Sequence, residues 1–330
     1  MRCLVTGGAG FVGSHVALSL LDAGHEVVIL DDLSTGHLAA IPAGAHFEKV
    51  DLADLQATEN IVKQGPWDAV LHFAALSLVG ASMVEPYHYL RRNTVTSLNL
   101  IEACARHKVK RFVFSSTAAL FGGEDRTPPI ADDATIDPGS PYGESKFFIE
   151  RALLWADRIH GMHSACLRYF NAAGADPKGR LGEDHRPETH LIPLTIDAML
   201  GRRPALKLFG HDYPTPDGTC VRDYIHVTDL ADAHIRAIDQ LNDRSVTYNL
   251  GNDKGFSNLD VIKSVERVSG KSVPWEWAPR RHGDPAVLVA DSSRIRAETG
   301  WNSKFSALDA IVETAFLWRA KHPNGYETSL

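Results

Sequence analysis

Tyr142 and Lys146 stand one helical turn apart in the segment Gly139-Ser-Pro-Tyr-Gly-Glu-Ser-Lys146. Ser140 suits an N-cap and Pro141 the first helical position, so the spacing predicts a helix that puts both side chains on one face. A phenol with an ordinary pKa of about 10 is a poor base at neutral pH. A lysine one turn away stabilises the phenolate, and a cationic cofactor ring would add to that effect. Tyr142 is therefore a candidate general base for an alcohol that is being oxidised. Upstream, Arg111-Phe-Val-Phe-Ser-Ser-Thr117 reads as a strand that ends in hydroxyls. Thr117 can donate to a substrate oxygen and relay its proton; the same three hydroxyl residues also suit loop capping.

A second constellation opens the chain. Leu4-Val-Thr-Gly-Gly-Ala-Gly-Phe-Val-Gly13 places glycines at 7, 10 and 13 between a strand and an amphipathic helix. Gly7 lets the chain turn sharply out of the strand, Gly10 lets the backbone approach a pyrophosphate, and Gly13 lets the helix pack closely on the sheet. The pyrophosphate then rests on N–H groups at the positive end of the helix. The next strand ends in Asp31 and Asp32, roughly 20 residues past the glycines, where a carboxylate accepts hydrogen bonds from the adenosine ribose. That carboxylate repels a 2′-phosphate, and no arginine follows it directly, so the expected cofactor is NAD. Asp51 ends a third strand, and either meets the adenine amino group or caps the strand end.

These groups need a scaffold that brings strand ends together. Apolar runs at 3–6, 26–30, 69–73, 111–115 and 163–168 alternate with helical stretches at 12–23, 52–64, 86–107 and 141–160. Such alternation implies right-handed βαβ units, and the continuous apolar runs imply strands buried on both faces. The expected fold is α/β: a Rossmann-type doubly wound parallel sheet over 1–171, binding NAD, and a smaller α+β substrate domain over 172–330. Further helices are expected at 193–200, 229–241, 258–269 and 307–319. Asp223–Val227 reads as another strand of the large sheet, so a segment near 222–242 is expected to return to the first domain.

Composition narrows the alternatives. The 330 residues carry a net charge of −7, with 44% hydrophobic and 23% charged residues. A negative chain lacks the basic excess of a nucleic-acid groove, and no apolar run approaches the roughly 20 residues of a membrane span. Met1–Val5 already reads as the first strand, so no signal peptide is expected. Cys3, Cys104, Cys166 and Cys220 are scattered, which suits free thiols in the reducing cytoplasm. No metal is expected.

Taken together, the Thr-Gly-Gly-Ala-Gly-Phe-Val-Gly loop, His72-Phe-Ala-Ala75 and Tyr-x-x-x-Lys resemble the extended short-chain dehydrogenase/reductase family over nearly the whole chain. Arg168-Tyr-Phe-Asn171, Phe209-Gly-His-Asp-Tyr-Pro-Thr-Pro-Asp-Gly-Thr219, Val221-Arg-Asp-Tyr-Ile-His-Val227 and Arg281-His-Gly-Asp284 before Ala290-Asp291 resemble its UDP-glucose 4-epimerase branch. The resemblance implies an isomerase that inverts C4 of a UDP-hexose through a 4-keto intermediate, with Tyr142, Lys146 and Thr117 catalytic. Phe11, Val12, Leu52, Phe73, Ala74, Ala75, Asn93, Ser115 and Tyr169 would join the glycines and aspartates around NAD. Arg222 and Arg281 would pair with the substrate diphosphate, whose phosphates suit guanidinium forks. Asn171 would bind the diphosphate or sugar, Phe209 would lie near the uracil, and Asp284 would bind the uridine ribose. Phe170, His190, Leu191 and Leu288 would complete the substrate side. Leu288 would line the sugar pocket, or else point into the core as an ordinary strand residue. Dehydratases of this family carry an Asp-Glu pair after the threonine, and the related decarboxylases a glutamate at the second position. Here Ala118 and Ala119 stand there, which leaves oxidation and re-reduction at C4.

Four positions depart from the branch: Ser77 for lysine, Ala75 for glycine, Phe121 for tyrosine and His190 for asparagine. A 4-epimerase of UDP-N-acetylhexosamines or UDP-pentoses shares every residue above, and a non-enzymatic NAD sensor is the more distant alternative. The family pairs the helices equivalent to 86–107 and 141–160 across a two-fold axis, so a homodimer is expected, with Leu98, Leu153 and Trp155 as contacts.

Overall fold

The computed structural model describes residues 1–122, 128–281 and 284–326. In chain order the first part contains β1 (Arg2–Thr6), α1 (Phe11–Asp22), β2 (Glu26–Asp31), β3 (His46–Lys49), α2 (Leu55–Val62), β4 (Ala69–His72), α3 (Val79–Val84), α4 (Pro86–Arg106), β5 (Arg111–Thr117), α5 (Pro141–His160) and β6 (His163–Tyr169). The rest contains β7 (Asn171–Ala173), α6 (Leu191–Met199), β8 (Leu206–Phe209), β9 (Val221–His226), α7 (Val227–Gln240), β10 (Val246–Leu250), β11 (Gly255–Ser257), α8 (Asn258–Ser269), β12 (Trp275–Ala278), β13 (Val287–Leu288), α9 (Ser293–Thr299) and α10 (Leu308–Lys321).

Seven strands form one parallel sheet in the order β3-β2-β1-β4-β5-β6-β10. The side-chain period of two divides its core between the faces. Cys3, Val5, Val27 and Ile29 pack with α1 and α7, while Leu4, Val28 and Leu30 pack with residues of α4 and α5 such as Leu100 and Ile149. Helices cover both faces, the doubly wound arrangement. Helix α5 begins at Pro141, with the Ser140 side chain accepting from Gly143 N. Helix α2 starts later than its apolar pattern because Asp54 caps it, accepting from Ala57 N at 2.9 Å.

The expectation that Asp223–Val227 joins the large sheet is overturned. β10 runs along β6, from Val246 beside Ala165 to Leu250 beside Tyr169, and occupies that edge. Past Phe170 the chain continues as β7, and β9 pairs with β7, β11 and β13 in a separate four-stranded sheet. The fully buried Asp223 carboxylate accepts from Asn252 N and Ala290 N, which fixes β9 there. Only the helix that follows returns: Leu230, Ala231, Ala233, Ala237 and Ile238 of α7 pack with Val16, Ala17 and Leu20 of α1. A third core joins α6, α8 and α10. All four cysteines are buried and free. Among the described residues no helix is long and apolar enough to cross a membrane.

Candidate active site

The site is built on the carboxyl ends of the large sheet, where the strands of an open α/β fold offer their loops to ligands. Gly7 turns the chain out of β1 with φ +72°, and a Cβ there would lie 2.5 Å from Ala74 N. A Cβ on Gly13 would lie 2.2 Å from the Gly7 carbonyl oxygen, so only glycine lets α1 start this close to the strand. Gly10 caps α1 without a side-chain hydrogen bond. The N–H groups of Phe11, Val12 and Gly13 thus begin a helix with no partner of their own, the arrangement that accepts a pyrophosphate. The residues present fit a dinucleotide.

Asp31 is buried, and accepts from Ala9 N at 3.0 Å and Leu33 N at 2.9 Å. Burial raises its pKa, against the pull of those two N–H groups. Asp32 and Asp51 are brought together by a residue the sequence reading missed. Arg92 of α4 donates to Asp32 at 2.8 Å and to Asp51 at 3.0 Å. Leu52 is buried beside them. Asn93 spends its side chain on the chain itself: it accepts from Leu76 N at 2.8 Å, and donates to Leu76 O and Ser145 Oγ at 3.0 Å each. It thereby ties the loop after β4, which carries Phe73, Ala74 and Ala75, to α5. Phe73 packs on the main core with its ring 5.0 Å from His234.

Tyr142 and Lys146 are both buried on α5. Lys146 Nζ donates to Ser115 O at 2.8 Å and lies 5.9 Å from the centroid of the Tyr142 ring. Burial lowers the Lys146 pKa to about 7, while Glu150 opposes the shift. Burial and the neighbouring Tyr169 push the Tyr142 phenol above its ordinary value, and a hydrogen bond with Thr117 pulls it back. Tyr169 and Ser115 share a hydrogen bond of 2.6 Å between their hydroxyls. Below this layer, Arg168 forks onto Glu150 at 2.9 and 2.6 Å, and Ser116 donates to the same carboxylate at 2.6 Å. Glu150 was also missed, although it continues the four-residue stripe of Tyr142 and Lys146.

The substrate side pairs the expected residues with one another. Arg222 donates to Asp284 at 2.7 Å, and the Arg281 guanidinium lies 4.1 Å over the Phe209 ring. His282 and Gly283 of the Arg281–Asp284 motif lie outside the described residues. Asn171 donates to Asp223 O at 3.0 Å. Leu288 and Phe170 pack, partly buried, beside Leu120, Phe121 and Ile130. His190 precedes Leu191 at the start of α6 and is hydrogen-bonded through Nδ1 to Glu183.

The model of the NAD dependent epimerase/dehydratase family matches residues 3–251. The chain belongs to that family. This epimerase/dehydratase is 47% identical over 330 residues to the UDP-glucose 4-epimerase of Halalkalibacterium halodurans, covering 99% of this chain and 98% of that one. Its structure is similar to the UDP-glucose 4-epimerase of Brucella ovis in complex with NAD, with a TM-score of 0.92 and 41% identity over 96% of this chain and 97% of that chain. It is also similar to the enzyme of Bifidobacterium longum in complex with NAD+ and UDP, with a TM-score of 0.93 and 35% identity over 99% and 100% of the two chains.

Proposed function

We propose that this protein is an NAD-dependent 4-epimerase that interconverts UDP-galactose and UDP-glucose. The observation that carries the reading is the buried Tyr142 phenol, near Thr117 and beside Lys146, on the edge of the sheet that carries the glycine loop. Tyr142 takes the proton of the sugar 4-hydroxyl, and Thr117 bridges the two oxygens. Bound NAD supplies the acceptor and later the donor of the C4 hydride. Lys146 holds positive charge near the developing phenolate, and Ser115 and Tyr169 fix the wall behind it. Ala118 and Ala119 offer no acid or base for eliminating water, so the 4-keto sugar is returned rather than consumed. Arg222 and Arg281 hold the diphosphate, Asp284 the uridine ribose, and Asn171, Phe170, His190 and Leu191 the segment between. Remote anchoring lets the sugar turn its other face to the cofactor without escaping.

Gly7, Gly10, Phe11, Val12 and Gly13 take the cofactor pyrophosphate, Asp31 its adenosine ribose, and Asp32, Asp51 and Leu52 the surroundings of the adenine. Residues 1–171 with α7 and β10 serve NAD, and the remainder serves the nucleotide sugar. Four buried, free cysteines suit a cytoplasmic protein. The subunits pair as a homodimer through α4 and α5, whose outer faces expose Val95, Leu98, Phe148, Trp155 and Ile159. Leu153 is excluded from that interface, because it is fully buried in the subunit's own core.

The test is direct. Purified protein should carry NAD and interconvert UDP-galactose and UDP-glucose. Bound NAD without turnover of any UDP-sugar would identify a sensor. Turnover confined to N-acetylated or pentose UDP-sugars would move the substrate while keeping the chemistry.

A further inference from the structure

Between β7 and α6, in the segment that leads to Leu191, four donor side chains fall at Glu183, His185, Glu188 and His190. One donor atom from each lies within 4.8 Å of all the others. His185 Nδ1 is 3.3 Å from Glu183 Oε1 and 3.5 Å from Glu188 Oε1, and the His190 imidazole contacts Glu183 Oε1 as well. The carboxylates are not surface groups: the Glu183 side chain is 4% exposed and that of Glu188 is 9% exposed.

A network of paired hydrogen bonds would use every buried donor and acceptor. This one does not. Glu188 Oε2 and His185 Nδ1 are buried without a hydrogen-bond partner, and the nearest cation to Glu188 Oε2 is Arg319 at 3.6 Å. Internal pairing satisfies the set only in part: Glu183 Oε1 meets His190 Nδ1, and Glu188 Oε1 accepts from the main-chain N–H groups of Thr189 and His190, while Glu188 Oε2 and His185 Nδ1 are left over. The main chain beneath them is fixed independently. Arg319 donates to Glu183 O at 3.1 Å while forking onto Asp197, and the Tyr326 hydroxyl accepts from Gly182 N at 3.0 Å.

We propose that Glu183, His185, Glu188 and His190 bind one zinc ion as a closed, structural site. Two imidazoles and two carboxylates form a donor set that zinc accepts in a tetrahedron. With bonds of about 2.1 Å, tetrahedral donors stand about 3.4 Å apart, so the widest present separation has to close by only a little over an ångström. Four protein donors leave no open position for a substrate or water, which separates this site from the chemistry at Tyr142. Its place in the fold gives it a structural purpose. The His185 ring meets Phe11 of the glycine loop edge-on at 6.1 Å, and His190 caps α6. The ion would clip the segment that spans the cofactor loop and the substrate side, and His190 would serve the substrate through the main chain it holds.

The experiment uses untagged, full-length protein, stripped with a chelator and titrated with zinc chloride. One zinc per chain should remain after desalting, and the thermal midpoint should rise by several degrees. Cobalt(II) in place of zinc should give the intense visible bands of a tetrahedral site. His185→Ala and Glu188→Gln should each retain less than about a tenth of the wild-type zinc, with no thermal shift. No zinc bound by the wild type at tens of micromolar overturns the proposal. So does equal retention by both variants. If either variant fails to fold, the cobalt spectrum of the wild type decides: weak, octahedral-type absorption overturns the site, and tetrahedral bands support it.

Discussion

The Lys146 ammonium group donates to the main-chain carbonyl of Ser115 at 2.8 Å, which ties the helix of the base to the strand of the hydroxyl relay. That lysine is kept at a cost. Its pKa falls from 10.5 to about 7 on burial. The unfolded chain therefore binds more protons between pH 7 and 10.5, so this group makes stability rise with pH across that window and carries its full penalty below 7. Lys146→Met should melt roughly 3 °C or more above the wild type at pH 6. The gain should vanish towards pH 10, and epimerisation should be lost. Scanning calorimetry of the apo protein at the two pH values checks this; a variant less stable than wild type at pH 6 contradicts it.

Tyr142→Phe removes the base and leaves the core intact. Turnover of UDP-galactose should fall by roughly 10²–10⁴-fold, while NAD binding and the melting temperature change little. Single-turnover kinetics that stay within a few-fold of wild type would exclude Tyr142 from proton transfer.

The proposed choice of cofactor places Asp31 at the adenosine ribose, and Arg92 holds its neighbours Asp32 and Asp51. Asp31→Ala should narrow the preference for NAD over NADP, because a carboxylate that repels the 2′-phosphate is gone. Arg92→Ala releases Asp32 and Asp51 to repel each other, and should weaken NAD by roughly tenfold, about 1.4 kcal/mol, with kcat unchanged at saturating cofactor. Titration calorimetry on stripped protein reads both; equal NAD affinity in wild type and Arg92→Ala would show that the fork is only a surface ion pair.

For assembly, the informative side chains are Phe148 and Trp155, 48% and 53% exposed on one stripe of α5. A two-fold interface doubles any substitution made in it. Phe148→Glu with Trp155→Glu should convert dimer to monomer in light scattering at micromolar concentration. A monomeric wild type would end the proposal before any mutation is made.

Leu288 tests substrate size. It packs beside Phe121 and Phe170 near the catalytic loop. UDP-glucose and UDP-galactose should be the best substrates, with UDP-N-acetylglucosamine poor. Leu288→Cys should raise N-acetyl activity selectively, since a clash is relieved while the UDP contacts stay. A parallel change for both substrates would show that Leu288 does not gate the pocket.

How much of this was legible depended on whether the signal was local. The glycine loop, the Tyr142–Lys146 face and the strands at Ala69–His72 and Arg111–Thr117 follow from spacing and unbroken apolar runs, which neighbours in sequence determine. Val246–Leu250 and Asp223–Val227 look alike as short mixed runs. Which one lies beside β6 is decided by Asp223 finding its partners at Asn252 and Ala290, and that pairing is invisible along the chain. Arg92 reads as solvated helix surface until α4 is laid against the ends of β2 and β3. Glu150 was within reach, because an acid four residues after Lys146 shares its face. The cluster at 183–190 escaped because His190 was read only as a substrate-side residue, apart from Glu183, His185 and Glu188 around it.

Strand β9 passes into helix α7 without a loop, His226 ending one and Val227 beginning the other. The strand carries Arg222, and the helix lies on α1, whose first turn follows the glycine loop. A single unbroken strut thus joins the strand of the proposed diphosphate arginine to the helix of the glycine loop. If nucleotide bound at Arg222 steadied α1, thermodynamic reciprocity would require an occupied glycine loop to tighten UDP by the same factor. Cofactor carried by the free protein would then be held more tightly still once the nucleotide sugar is in place.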